Sequence, residues 1–390
     1  MDTYIILRKP NQPDARAGDY TTRTFGLIRG VSTSPQLAVE RVPTHAIAGL
    51  RRDPQVVALA RSMPTKLIQP FVSSSSSKND AWGIAAVNAD TSPYTGDGVT
   101  VAVLDTGIDA KHPAFHGVSL TQKDFTGEGE MDTNGHGTHC AGTILGRDVN
   151  GLRIGVARGV KQALIGKVLG DNGGSSDMLF NALHWAMNSG ANIISMSLGF
   201  DFPGMVSQRV QAGYPVEMAT SDALESYRGN LRMLDTIMRM FSDRSAFGDS
   251  PIVIAAAGNE SRRQVRGDFK IAASLPAAAD NVISVAAAGK QGSDYGIAAF
   301  SNIHPKLSAP GVDVLSAWPG GTLKSLDGTS MACPHVAGVA ALWWEQALKS
   351  KAASPSALTS AQLTATASTQ GFSAEFDSTD YGFGLVTSPK

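Results

Sequence analysis

Three short patterns in this 390-residue chain hold side chains able to do chemistry. Val103-Leu-Asp-Thr-Gly-Ile-Asp109 offers a carboxylate. Asn134-Gly-His-Gly-Thr-His-Cys-Ala-Gly142 offers an imidazole. Gly328-Thr-Ser-Met-Ala-Cys-Pro-His-Val-Ala-Gly338 offers a hydroxyl. A hydroxyl is a poor nucleophile at neutral pH unless a base takes its proton, and the base needs an acid to fix its tautomer and steady the imidazolium. Asp105, His136 and Ser330 are the candidates for acid, base and nucleophile. Each has a plainer reading when taken alone; Asp105, for example, caps a turn as readily as it orients a base. His139 lies three residues after His136 and invites a metal pair. No Glu stands between them and no third ligand is near in sequence, so a packed histidine is expected instead. The same holds for Asp109, His112 and His335. Cys140 and Cys333 follow His136 and Ser330 by four and three positions, and read as free, buried thiols.

Parallel-sheet elements must position these groups. Near-continuous apolar strands are expected over 99–104, 162–168, 191–196, 251–256 and 282–285, with helices over 178–188 and 331–348 between or after them. Such strands, separated by helices, indicate a parallel sheet covered on both faces, hence an α/β fold. Ligand sites in these sheets lie beyond the carboxyl ends of the strands, which singles out Asp105 and Gly258-Asn259. Ser330 falls at the start of the last helix, where a free amide and the dipole favour negative charge.

With these residues in view the chain resembles the subtilisin-like serine proteases, the subtilases, from about Trp82 to Val386. The order Asp–His–Ser is that of subtilisin itself. The resemblance implies a three-layer αβα fold with a mainly parallel sheet, and roles for single residues. Asp105 would orient the imidazole, His136 act as base and Ser330 as nucleophile. Asn259 in Ala256-Ala-Gly-Asn-Glu260 would donate to the oxyanion beside the Ser330 amide. Substrate would lie as an added strand between Ser197-Leu198-Gly199 and Gly173-Gly174-Ser175. A family calcium loop would fall at 147–151, with Asp148 and Asn150 as oxygen donors. The carboxylate partner's position is Ala114, so weak calcium binding at most is expected and no cofactor is required.

The run Ser73-Ser74-Ser75-Ser76-Ser77 buries nothing and makes a flexible connector. It divides the chain into a small α+β domain (1–72), a linker (73–81) and a catalytic domain (82–390). In the first part, 4–7 reads as a strand, Asp53-Pro54 as the opening of a helix carrying Val56, Val57 and Ala60, and 67–70 as a final strand. This part holds 10 Lys/Arg against 5 Asp/Glu, the remainder 23 against 29, so the two should attract. It resembles a subtilase propeptide, which would inhibit by laying its last strand in the groove, with cleavage between about Phe71 and Ser77. After Gly199 the chain departs from compact subtilases. An insert at about 200–250 looks helical in much of its length, including 221–241 with Leu224, Tyr227, Leu231, Leu234, Met238 and Phe241. It would either lid the groove beside the S1 wall or bind a partner.

The net charge of −1 excludes a strongly basic nucleic-acid binder, and two cysteines exclude a disulfide framework or a four-cysteine zinc site. No apolar run reaches the roughly 18–20 residues that span a bilayer. The N-terminus has no secretory leader pattern, so a cytoplasmic protein is expected unless a leader is missing. The reading is of a monomeric, self-processing serine endopeptidase acting on polypeptides, with its own propeptide as intramolecular inhibitor. The alternatives are a narrow intracellular maturation protease acting on one partner, and a catalytically silent binding protein.

Overall fold

The structure, a computed structural model, describes residues 2–9, 36–72, 81–244 and 250–390. They group into two compact units, Met1–Met63 with Phe202–Thr236, and Pro64–Asp201 with Ile237–Lys390. The serine run lies outside the described residues. Among those described, no helix is long and apolar enough to cross a membrane.

The larger unit is built on a mainly parallel sheet. Its strands are β6 (Thr100–Asp105), β7 (Ser119–Asp124), β8 (Gln162–Lys167), β10 (Ile193–Met196), β12 (Ile252–Ala256), β13 (Val282–Gln291), β14 (Asp294–Ile297) and β15 (Leu307–Pro310). They run in the order β14-β13-β12-β10-β6-β8-β7, with β15 on β13, and only β14 is antiparallel to its neighbour. The central strands are buried at successive positions, so both faces are covered, as their unbroken apolar runs require. Helices α3 (His136–Leu145) and α7 (Thr329–Lys349) pack on each other and on the middle of the sheet, and α4 (Ser176–Asn188) packs on β6 and β8. Nearly the whole of α7 is buried, in keeping with a sequence that is apolar all round. Chain order reverses at β6, which has β8 on one side and β10 on the other. The carboxyl end of β6 is therefore the switch point where such sheets place their sites.

Short elements complete this unit: α2 (Trp82–Ala86), α8 (Pro355–Ala365), α9 (Ser378–Tyr381) and two small sheets. In the first small sheet β4 (Pro64–Leu67) lies between β9 (Gly174–Ser175) and β11 (Leu198–Phe200). In the second, β5 (Phe71–Val72) adds to the hairpin of β16 (Val314–Trp318) and β17 (Thr322–Asp327).

The smaller unit has an antiparallel sheet ordered β2-β1-β3, from β1 (Asp2–Arg8), β2 (Gln36–Val42) and β3 (Val56–Arg61). Tyr4, Ile6 and Val42 pack there with Ile47 and Leu50 of α1 (Ile47–Arg52). The sequence suggests a helix opening at Asp53-Pro54, but α1 ends there and the following residues form β3. Adjacent Val56 and Val57 favour an extended chain, and β1 supplies the ladder that an isolated reading cannot see. Asp53 instead closes the turn, accepting from the Gln55 amide at 2.9 Å and pairing with Arg8 at 3.0 Å.

The insert contributes α5 (Phe202–Gln211) and α6 (Val216–Arg244), and groups up to Thr236 with the N-terminal sheet. The apolar residues of α6 are not all buried. Leu224 is exposed, and the buried stripe there is Ala219, Ala223, Ser226 and Asn230, continuing to Met233 and Leu234. Small residues gave no apolar signal, because they are buried by close approach rather than by bulk.

Candidate active site

Asp105 ends β6 and His136 begins α3, and the sequence forces these two ends together. A Cβ added to Gly137 would stand 2.2 Å from the Gly107 carbonyl oxygen, so the approach requires glycine there. Asp132 ties the two segments. It accepts from Thr106 Oγ1 (2.8 Å), the amides of Asn134, Gly135 and Thr138 (3.1, 2.8 and 2.9 Å), and Thr138 Oγ1 (2.6 Å). Thr106 Oγ1 in turn accepts from the Gly137 amide at 2.9 Å. The result is a contact of 2.8 Å between His136 Nδ1 and Asp105 Oδ1, with both side chains 2% exposed or less. Asp105 Oδ1 also accepts the Thr106 amide at 2.8 Å. Nδ1 therefore carries a proton and Nε2 is free to act as a base. Nε2 is buried with no hydrogen-bond partner among the described residues.

Ser330 is the second residue of α7, so its amide is among those at the helix start with no intrahelical acceptor. Thr329 orients Asn259. Its amide and its Oγ1 both donate to Asn259 Oδ1 at 2.9 Å, which turns Nδ2 outward as a donor. Thr329 Oγ1 also accepts the Gly258 amide at 3.1 Å.

The chain itself occupies this site. Strand β4 pairs with β11 through Leu67–Leu198, Lys66–Gly199 and Thr65–Phe200, and with β9 through Pro64–Ser175 and Thr65–Gly174. Gly173 has φ of +82°, and a Cβ on it would lie 2.8 Å from the Thr65 carbonyl oxygen. The two groove edges expected from sequence thus flank one extended segment, and Ser197 Oγ donates to the Ser330 carbonyl at 3.1 Å. Beyond β4, Ser330 Oγ donates to the Ile68 carbonyl oxygen at 3.2 Å and Asn259 Nδ2 donates to that of Gln69 at 3.0 Å. A Cβ on Gly199 would stand 3.6 Å from Ile68 Cγ1, so the Ile68 side chain lies over this glycine. Phe71 and Val72 then pair with Asp327 and Leu326 of β17. The sequence reading put the cut between Phe71 and Ser77. Beside Ser330 the structure places Ile68 and Gln69, in a register that the ladders on β11 and β9 set.

The subtilase family model matches residues 96–384, a span that holds Asp105, His136, Asn259 and Ser330. The chain belongs to the subtilase family. The alkaline protease of Alkalihalobacillus alcalophilus is 33% identical over 333 residues, covering 81% of this chain and 70% of that protein. The thermostable alkaline protease of Halalkalibacterium halodurans is 34% identical over 348 residues, covering 87% and 80%. Subtilisin-like protease 6 of Trichophyton rubrum is 33% identical over 275 residues, covering 67% and 57%. The 87% match is longer than everything after the serine run, so it reaches into the first 72 residues. This subtilase is a serine endopeptidase, and polypeptides are its substrates.

The other histidines singled out from the sequence of the subtilase, and Asp109, are held by backbone groups. His139 Nε2 lies 3.1 and 3.0 Å from the carbonyls of Val314 and Lys324, and burial lowers its pKa to about 3. His335 Nδ1 donates to the Met331 carbonyl at 2.8 Å, and burial lowers its pKa to about 4. His112 Nδ1 accepts the Ala114 amide at 3.1 Å, and Asp109 accepts those of Lys111 and Gly320 at 3.1 and 3.0 Å. Both cysteines are free and buried. Cys140 Sγ lies 3.8 Å from His136 Nδ1 and 3.4 Å from the Ser330 carbonyl, and burial raises both thiol pKa values, that of Cys333 to about 11.

The oxygen donors suggested by resemblance, Asp148 and Asn150, lie in the loop after α3. Arg158 donates to both Asp148 oxygens, at 3.2 and 3.1 Å, and Asn150 sits at φ +52° in the turn between Val149 and Leu152. Ala114 is buried and its carbonyl accepts the Arg147 amide at 2.7 Å. Sequence reasoning missed Asp132, Thr329, Ile68 and Gln69. Thr329 stood beside Ser330 in plain view; Asp132 had only its place three residues before the helix-opening Gly135 as a signal.

Proposed function

We propose that the subtilase cuts its own chain between Ile68 and Gln69 through an Asp105–His136–Ser330 triad, and that the freed N-terminal part then inhibits it. The observation that carries this is the contact of 3.2 Å between Ser330 Oγ and the Ile68 carbonyl oxygen, on a segment laddered at both edges. His136 Nε2 takes the Ser330 proton as Oγ bonds to the Ile68 carbonyl carbon. Asp105 holds the imidazolium. The oxyanion is held by Asn259 Nδ2 and the Ser330 amide. The imidazolium then protonates the Gln69 nitrogen, the C–N bond breaks, and water hydrolyses the acyl-enzyme by the reverse proton path. Other polypeptides enter the same groove between Gly173-Gly174-Ser175 and Ser197-Leu198-Gly199 once the segment leaves. The scheme needs no cofactor and one copy of the chain.

The test is N-terminal sequencing of the purified protein and of its Ser330→Ala variant. The expected result is a large fragment beginning at Gln69, and an uncut variant. A start at Pro70 would move the cut to the Gln69–Pro70 bond, and a start within 73–77 would return it to the serine run. A variant that is still cut would end the self-processing reading. Labelling by a fluorophosphonate, lost in Ser330→Ala, reports the nucleophile independently.

A further inference from the structure

One residue beside the proposed triad is out of keeping with its surroundings. Lys167 closes β8, whose other buried residues are Ala163, Leu164, Ile165 and Gly166, and it is only 2% exposed. It lies in register with Asp105 of β6 on one side and with Asp124 of β7 on the other. Side chains at paired positions of neighbouring strands share a face. Val103 and Ile165, two residues earlier on β6 and β8, pack in one core with Ala141 and Ile144 of α3. Lys167 therefore rises on the face that carries α3, next to Asp105. A buried ammonium is costly, and an apolar side chain would fill the same space without that cost. What the ammonium gains is a bond to the backbone. Lys167 Nζ donates to the Met131 carbonyl at 3.0 Å.

That carbonyl belongs to a segment whose side chains give it little anchorage. Residues 127–131 are exposed, Met131 itself by 69%. The segment nevertheless ends on the closely packed backbone of the site. Ile108 and Met131 form a parallel bridge. Gly107 sits at φ +105°, and a Cβ on it would stand 2.7 Å from the Glu130 carbonyl oxygen and 3.2 Å from the Asp132 amide nitrogen. The 130–132 backbone thus lies on Gly107, and Gly107 lies on Gly137 of α3. Next in the chain is Asp132, which gathers the donors of Thr106, Asn134, Gly135 and Thr138 on either side of His136. The Lys167 ammonium fixes the outer layer of this stack to the strand that neighbours Asp105.

We infer that Lys167 is a positioning residue for catalysis: its bond to Met131 sets the Asp132 turn, and through that turn the orientation of His136 toward Asp105. The role rests on the reading of His136 as the base. The test compares Lys167→Met, which fills the space without a donor, with Lys167→Gln, which keeps an N–H donor on a shorter chain. The assay measures kcat and KM on a peptide substrate, with the competent fraction counted by fluorophosphonate labelling. Because a small misplacement near the base is costly, kcat should fall about tenfold or more in Lys167→Met and less in Lys167→Gln, with KM changed by no more than about twofold. In a chain carrying both Lys167→Met and Asp132→Asn the losses should not multiply, since both act through one turn. Nuclear magnetic resonance of the Ser330→Ala chain gives a readout free of turnover: the low-field signal of the His136 Nδ1 proton should weaken or broaden when Lys167→Met is added. An unchanged kcat, an unchanged signal, a loss confined to KM, or losses that multiply in the double variant would overturn the role. Where Lys167→Met does not reach the parent's melting profile, the same comparisons in Lys167→Gln decide. His136→Ala, run alongside, separates the two readings. Should it keep the parent's activity, the base assignment fails; if it is inactive while Lys167→Met keeps the parent's kcat, only the Lys167 role falls.

Discussion

Asn259 Nδ2 donates to the carbonyl oxygen of Gln69 at 3.0 Å, one residue beyond the carbonyl that Ser330 touches. The donor proposed for the oxyanion is therefore engaged by a neighbouring carbonyl while the chain is whole. For Ile68 to react, its oxygen must turn to Asn259 and the Gln69 carbonyl must leave. Pro70 resists this, because it holds Gln69 in an extended conformation. On the proposed self-processing scheme, the contact that presents the segment would also slow its cleavage.

Asn259→Asp removes the donor. The aspartate keeps an oxygen for both Thr329 bonds, loses the N–H and sets a negative charge beside the oxyanion position, so the loss of one neutral donor is the lower bound of the effect. We expect kcat on a peptide substrate to fall by at least about 10²–10³, or roughly 2.7–4 kcal/mol, with KM little changed. The magnitude comes from subtilisin, a member of the same family. A fall in kcat/KM that arises only from KM would remove Asn259 from the oxyanion site.

Asp132→Ala should cost more stability than activity arguments alone suggest. It leaves five donors, from Thr106, Asn134, Gly135 and Thr138, without their buried acceptor. At about 1–3 kcal/mol for each unsatisfied buried group, even partial rescue by water leaves a loss of at least about 3 kcal/mol. Denaturant unfolding of the variant in a Ser330→Ala background measures it. Asp132→Asn, which restores some acceptors, should recover part of the stability and show reduced kcat at unchanged KM, because His136 is positioned less firmly. Equal stability of Asp132→Ala and parent would show that the network is idle.

The sheet, and the chain ends that bring Asp105 to His136, were legible because their signals are local. Strand β6 ends in Asp105 after an unbroken apolar run, and His136 and Ser330 each sit in a Gly-rich helix start. The misread parts depend on distant partners. Val56 and Val57 become a strand only because β1 lies beside them, and Leu224 is exposed because α6 meets its sheet through alanines and Gly229. The register at Ser330 was also out of reach, since it is set by ladders between residues more than a hundred positions apart. The charge asymmetry was seen, but its concrete form, Arg61 against Asp222 and Arg51 against Glu225, lies in an insert whose partner no local pattern names.

Cys140 should make the enzyme sensitive to mercury while resisting ordinary alkylation. Its thiol is buried with a raised pKa, so little thiolate exists at neutral pH and iodoacetamide should react slowly. A mercurial that does reach it adds bulk 3.8 Å from His136 Nδ1 and displaces the ring from Asp105. We expect two titratable thiols on denaturation, inactivation of the wild type by p-chloromercuribenzoate, and resistance in Cys140→Ala with most of the activity kept. Equal inactivation of that variant would assign the sensitivity to Cys333 or to another group.

Two buried histidines set an acid limit on stability. His139 and His335 are neutral in the fold, with pKa values lowered by burial to about 3 and about 4. His139 Nδ1 has no partner among the described residues, so a proton added there would be buried without an acceptor. In the unfolded chain both titrate near 6.5. Below that pH the unfolded state binds protons that the folded state refuses. Stability is therefore intact above about pH 6.5 and falls as the pH drops toward 4, with a slope of about 1.4 kcal/mol per pH unit for each histidine. Urea unfolding of the Ser330→Ala chain at pH 7, 6 and 5, beside the same chain with His335→Gln, measures the slope while avoiding self-digestion. The glutamine variant should lose less stability across this range, by roughly one histidine's share. Parallel pH profiles for the two chains would show that His335 accepts its proton in the folded state.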